Sequence, residues 1–269
     1  MLTIKDVKLR YKGSFLGFLW SLINPLLMMG VYYIVFVVLL HPATQPGCSE
    51  TPVPGATGQQ ILEANQCKIY NHYAPFILIG ILAWNFTAGS IMAGMNSILG
   101  NASIIKKVYF PREVLTISSV LAQFVNFLLA LIPLCLIILG SGLLPSGLVL
   151  ILPIIFVAHI LFLVGLALIV SIAVLYMRDL ALIVEVLLQA WFFLSPVLYV
   201  MDQVFPTWKQ VVYWLNPIAS FIEIYRALLF FNYTPDLGFT ARTCLTGVGV
   251  FIIGYAFFMY KRKRIGELI

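Results

Sequence analysis

Apolar runs of about 20 residues or more recur along the whole chain, and no other feature limits its possible folds as strongly. Crossing the hydrocarbon core of a bilayer takes about 20 apolar residues in a helix. Polar breaks divide the chain into six such runs, at about 16–40, 75–98, 114–140, 148–176, 180–200 and 241–260. Residues of the AVILMFWYC set make up 62% and charged residues only 10%, against about 45 to 50% and 25% in soluble domains. The mean hydropathy is +1.02. An ordinary water-soluble enzyme is thereby excluded. The runs are continuous rather than dyad-alternating, which argues against a transmembrane β-barrel. The expectation is one all-α polytopic membrane domain over 1–269 with six transmembrane helices.

Six crossings put both termini on one side, and Lys and Arg near span ends mark that side as cytoplasmic. With the termini inside, the inner set is Lys5, Lys8, Arg10, Lys12, Lys106, Lys107, Arg112, Arg178, Lys261, Arg262, Lys263 and Arg264. The outer set is Lys68, Lys209, Arg226 and Arg242. The same count accounts for the net charge of +6 as topology and contact with anionic head groups, so nucleic-acid binding is not invoked. The first run follows a basic dozen residues and has no small-residue cleavage site behind it, so it is expected to stay in the membrane.

Two stretches do not fit a simple span pattern. The insert 41–73, between the first two runs, is polar and contains Cys48 and Cys67, while Cys135 and Cys244 sit in apolar runs. Only the first pair is placed to bridge. The region 190–240 is too apolar and aromatic for a solvated loop, yet Pro196, Pro206, Pro217 and Pro235 break it. Pieces around 190–199 and 216–231 read as membrane-dipping half-helices, which persist only where protein or a water-filled cavity satisfies their broken ends. An interfacial helix lying flat on the lipid is the alternative reading of the same pattern. Trp191, Phe192, Phe193, Tyr199, Trp208, Tyr213, Trp214, Phe221 and Tyr225 crowd this stretch. Their flat faces suit sugar rings, and an interfacial aromatic belt is the competing explanation.

Catalytic and metal signatures are absent from the sequence. There is no G-x-x-x-x-G-K-[ST] phosphate loop, no H-E-x-x-H, no C-x-x-C and no G-x-S-x-G. His41, His72 and His159 stand singly, and His159 reads as a buried polar contact. Glu185, one turn before Gln189, is an ionisable residue inside a run, either lining a path or held in a helix contact. No catalytic residue and no metal site is expected.

Five blocks carry a resemblance. They are 10–26 (RYKGSFLGFLWSLINPL), 105–115 (IKKVYFPREVL), 178–180 (RDL), 192–199 (FFLSPVLY), and Asn216-Pro217 followed by Glu223, Tyr225 and Arg226. In this order they resemble the ABC-2 type polysaccharide export permeases, the membrane subunits that export lipid-linked O antigen of lipopolysaccharide, capsule or teichoic acid. The resemblance implies a homodimer of six-span subunits in the bacterial cytoplasmic (inner) membrane. It also implies two copies of a separate ATP-binding cassette subunit. ATP and Mg would be bound there, with no cofactor on this chain, and the lipid-linked glycan would pass between the subunits.

The resemblance further implies an amino-terminal interface helix, a cytoplasmic coupling helix between spans two and three, and outer re-entrant gate helices between spans five and six. The interface segment is 1–12, with Arg10, Tyr11 and Lys12. The coupling region is 99–113: Ile104, Ile105 and Val108 would give apolar contact, and Lys106, Lys107, Arg112 and Glu113 would set register electrostatically. Channel and gate candidates are Trp20, Phe192, Phe193, Ser195, Pro196, Tyr199, Asn216, Pro217, Glu223 and Arg226, the last two one turn apart as a prospective ion pair. Asn24-Pro25 is expected to loosen the first helix. The insert 41–73 is longer than the family's usual outer loop. The rival is a secondary transporter or channel for a small solute working without an ATPase. The basic Pro-bounded block and the lack of inverted repeats or a chain of buried acids weigh against it.

Overall fold

A computed structural model describes residues 20–39, 49, 58–105, 111–143, 147–205 and 207–262. Among the described residues the chain is helical and contains no strand. Helix α1, Trp20–Tyr33, continues as a π-helical stretch, Ile34–Leu39. Helix α2, Gly58–Asn71, leads after one residue into α3, Tyr73–Asn96. Then come α4, Glu113–Gly140, and α5, Leu152–Tyr176, the latter preceded by a 3-10 stretch, Gly147–Ile151. Helix α6 is Leu180–Leu194, α7 is Lys209–Leu215, and α8 is Pro217–Arg226, which runs into a π-turn, Ala227–Phe231. Helix α9, Leu237–Lys261, closes the described chain.

Helices α3, α4, α5 with its lead-in, and α9 are long and apolar enough to cross a membrane. They coincide with four of the six expected runs. The run at 180–200 is a correction: α6 has 15 residues and stops at Leu194, because Ser195 is extended (φ −97°, ψ 145°) ahead of Pro196, whose ring disfavours helical angles in the residue before it. At about 1.5 Å per residue this helix is shorter than a hydrocarbon core of about 30 Å. The expected half-helix at 190–199 is corrected likewise, since Ala190–Leu194 are the end of α6 and the following turn is not helical. The piece at 216–231 is helical as expected. In α1 the helix runs through Asn24-Pro25 without a break, and its irregular part is the π stretch instead.

Helix α3 is the hub. In its apolar window 72% of residues are buried, against 22% in α9, because α3 packs on α4, α5 and α8 while α9 packs chiefly on α5. Small residues let backbones approach where no hydrophobic force favours protein over lipid. Gly247 and Gly254 of α9 lie seven residues apart, as do Ala158 and Gly165 of α5. A Cβ on Gly247 would strike the Ala158 carbonyl oxygen, and one on Gly254 that of Gly165.

The two ends of the bundle differ. One gathers α2, the turn after α6, α7 and the start of α9. The other gathers the ends of α3, α5 and α9 with the start of α4, where Arg112 Nη1 donates to the Arg262 carbonyl at 3.2 Å and Arg262 lies 4.0 Å from Glu113. Helix α2 gives the insert a folded part in which Ala64, Cys67 and Ile69 are buried. Cys67 is disulfide-bonded and Cys135 and Cys244 are free. Cys48, its expected mate, lies outside the described residues.

Candidate functional site

The two proline breaks flagged in the sequence meet in space. Pro217 begins α8, where a missing N–H costs nothing, and Asn216 before it caps the helix by accepting from the Ala219 N–H at 3.4 Å. The Asn216 carboxamide also accepts from the Trp191 indole at 2.9 Å, and its NH₂ donates to the Ser195 hydroxyl at 2.9 Å and the Leu194 carbonyl at 3.3 Å. One side chain thus ties the end of α6 to the start of α8. Both Ser195 and Asn216 are buried, so the broken backbone is satisfied by protein, as a break inside an apolar medium requires.

Arg226, at the last turn of α8, holds the other side of the same turn. It is 1% exposed. Its Nη1 donates to the Pro196 carbonyl at 2.7 Å and the Tyr199 carbonyl at 3.2 Å, its Nη2 to the Val197 carbonyl at 2.7 Å, and its Nε to the Phe76 carbonyl at 3.3 Å. The guanidinium stacks 3.8 Å from the Phe76 ring centroid. Gly80 of α3 makes the approach possible: a Cβ there would lie 2.6 Å from the Val197 oxygen and 2.8 Å from Nη2. The expected Glu223–Arg226 ion pair is a correction. No such pair forms among the described residues. The carbonyls freed by the break take the guanidinium donors, and Glu223 feels the Arg226 charge without a contact to it within 4 Å.

Deeper along α8, the buried His159 of α5 joins three helices. Its Nδ1 lies 3.0 Å from the Tyr225 hydroxyl and its Nε2 3.2 Å from the Thr87 hydroxyl, and its ring stacks on Phe221 at 4.4 Å. The expected role as a buried polar contact agrees with this geometry. Around it Phe86, Phe127 and Phe156 complete an aromatic packing layer. Among the described residues no group of three or more His, Cys, Asp or Glu is placed to hold a metal ion.

The aromatic gate candidates separate by environment. Phe192 is half-buried against Trp84 at 5.7 Å, whereas Phe193 is 66% exposed. Tyr199 is half-buried beside the Arg226 clamp. On α6 Leu188 alone is buried, so Glu185 and Gln189 are exposed among apolar neighbours such as Leu182 and Val186.

At the opposite end, the coupling region includes a 3-10 turn, Leu99–Asn101, and a single helical turn, Ala102–Ile105. Ile105 packs on the core, and Ser97 is hydrogen-bonded to Thr116 at 2.8 Å across the base of the loop. Arg112 and Glu113 both contact Arg262. Lys106, Lys107 and Val108 lie outside the described residues, as do Arg10, Tyr11 and Lys12 and the side chains of Trp20 and Ile104.

Sequence reasoning missed Gly80, Trp84 and Trp191 as parts of the clamp. The one available signal was Gly80, set among bulky residues in the first part of the run at 75–98. It also missed that Arg226 would spend its donors on carbonyls.

The described residues form a multi-pass helical bundle with a locked helix break, and the chain can be compared with known proteins. The family described as "ABC-2 type transporter" matches residues 1–230. The O-antigen export system permease protein RfbA of Klebsiella pneumoniae is 29% identical over 270 residues, covering 100% of this chain and 93% of that protein. The protein of the same name from Myxococcus xanthus is 29% identical over 262 residues, covering 97% of this chain and 90% of its own length. With a match across most of its length and a membrane bundle to suit it, the chain belongs to the ABC-2 type transporter family.

Proposed function

We propose that this chain is the transmembrane subunit of an ATP-driven exporter that moves a lipid-linked polysaccharide across the bacterial cytoplasmic membrane. The observation that carries the reading is the end-to-end likeness to proteins named as O-antigen export permeases. Hydrolysis takes place on a separate ATP-binding subunit, two copies per assembly, with ATP and Mg bound there. Both termini are cytoplasmic and six segments embed, α1 and α6 completing the set of four long spans. The charge distribution supports this direction. The described end that joins α4, α5 and α9 carries Arg112, Arg178, Lys261 and Arg262 against Glu113 and Asp179. The α2 end carries Lys68, Lys209, Arg226 and Arg242 against Glu63, Asp202, Glu223 and Asp236.

The functional unit is a homodimer in which α6 faces its counterpart. A carboxylate is costly in hydrocarbon unless it meets protein or water, so exposed Glu185 and Gln189 favour a partner or an aqueous path over lipid. Closure of the ATP-binding subunits pushes on the 99–113 region, α3 and α4 tilt, and the clamped break between α6 and α8 moves as the outer gate. Such a push shifts the equilibrium only if the coupling contact differs between the two states. Lys106→Glu with Lys107→Glu is the test. Arg112 is left in place because it also braces the Arg262 carbonyl. The double variant should assemble in the membrane yet lose ATP-coupled export. Export at the wild-type rate would refute the docking role.

A further inference from the structure

Between α2 and the segment after the Ser195-Pro196 break lies a cavity of about 200 Å³ that the reading so far leaves without a task. Its wall includes Gln66, Tyr70 and Tyr73 from the α2–α3 corner, Phe76 beneath them, and Tyr199 and Gln203 opposite. At about 30 Å³ per water, it has room for roughly six or seven waters. That is the scale of one six-membered sugar ring, too small for an oligosaccharide.

The chemistry of the wall is selective. No carboxylate, ammonium or guanidinium is among its lining residues, and the nearby Arg226 guanidinium is stacked on Phe76 with its donors spent on carbonyls, so a phosphate or a zwitterionic head group would lose its hydration there without a charged donor in contact. Two carboxamides and three phenols offer both donors and acceptors, the pattern that a ring of hydroxyls can answer. Aromatic faces from Phe76 and the tyrosines suit the C–H side of a pyranose. Among these groups the Tyr199 hydroxyl is buried and has no hydrogen-bond partner in the protein.

The wall is also held in place. Arg226 stacks on Phe76 and donates to the Tyr199 carbonyl, fixing residues from both sides of the cavity. Rigid walls lower the ordering cost of binding a small ligand. The helix that completes the cavity belongs to the insert 41–73, which gives that insert a role.

We propose that this cavity is an extracytoplasmic subsite for one neutral pyranose residue of the exported polysaccharide, built jointly by α2 and the 198–203 segment. The proposal rests on the polysaccharide-export reading and names a recognition site within it. A sugar seated here would pack against the Tyr199 side chain in the wall, and through the Arg226 clamp its occupancy would be felt at the break between α6 and α8.

The test uses the full-length protein in lipid particles free of glycoside detergents. The probes are methyl α-D-glucopyranoside, methyl α-D-mannopyranoside and methyl β-D-galactopyranoside, with phosphocholine as a charged control, read by saturation-transfer difference NMR. At least one pyranoside should receive saturation at its ring protons while phosphocholine does not. Tyr199→Leu, which removes a lining ring, and Gln203→Ala should each weaken that transfer several-fold. Gln203→Ala should do so with an unchanged unfolding midpoint, because Gln203 is exposed. Transfer to no pyranoside, transfer that survives both substitutions, or equal transfer to phosphocholine would overturn the subsite. A host lacking this chain that still displays its surface polysaccharide would instead overturn the export reading. The two failures are therefore separable.

Discussion

A guanidinium that is 1% exposed among apolar helices persists only if its donors are matched. Arg226 meets that demand with four hydrogen bonds to carbonyls of Phe76, Pro196, Val197 and Tyr199. The fork of the side chain is essential, since a lysine ammonium is a compact point charge that cannot reach both strands of the turn. Arg226→Lys should therefore destabilise the fold by roughly 2–4 kcal/mol, as carbonyls are left buried without donors. Thermal unfolding of the purified protein in lipid particles checks this, and an unchanged midpoint would show that the clamp is not structural. At this scale part of the site was readable in the sequence. Ser195-Pro196 and Asn216-Pro217 announced breaks, because proline restrains the residue before it wherever it occurs. The link between them through Asn216 was not readable, and neither was the fate of Arg226. A spacing of one turn suggested pairing with Glu223, but spacing carries no information about carbonyls released some 30 residues upstream.

Among the elements, helix α6 is left largely uncovered in the monomer. It has 15 residues, of which Leu188 alone is buried, and its exposed surface mixes Val186 at 67% and Leu182 at 66% with Glu185 and Gln189. In the proposed homodimer this face would meet its twofold mate, so a cysteine at Val186 should cross-link two copies under mild oxidation in native membranes. Cysteine at Ile253 on the exposed face of α9 should give no such dimer. Equal cross-linking at both positions would mean that random collision, not an interface, is being read. The four long spans were legible because unbroken apolar length alone identifies them. Helix α6 was over-extended to residue 200 because the apolar pattern continues past Pro196 while the backbone does not. The reverse holds for α2, whose mean composition is polar and whose helicity shows only in the spacing of Ala64, Cys67 and Ile69 against α3.

For the whole molecule, the bundle reads as a rigid hub around α3 with two differently built ends. One end is basic and braced by the Arg112, Glu113 and Arg262 contacts. The other is a locked break flanked by aromatic side chains and the insert helix. That division suits the proposed subunit, pushed at one end and opened at the other. The family was legible in the sequence through its five family-like blocks. The packing order of the helices was not visible, because it depends on close approaches such as Gly254 to Gly165 that no hydropathy pattern encodes. The most direct measurement is transport by purified protein in proteoliposomes, with and without the separate ATP-binding subunit, using the lipid-linked polysaccharide of the same organism. The account predicts that glycan reaches the far leaflet only when both subunits and hydrolysable ATP are present. Transport by this chain alone, or indifference to ATP, would contradict it and leave a secondary carrier in its place.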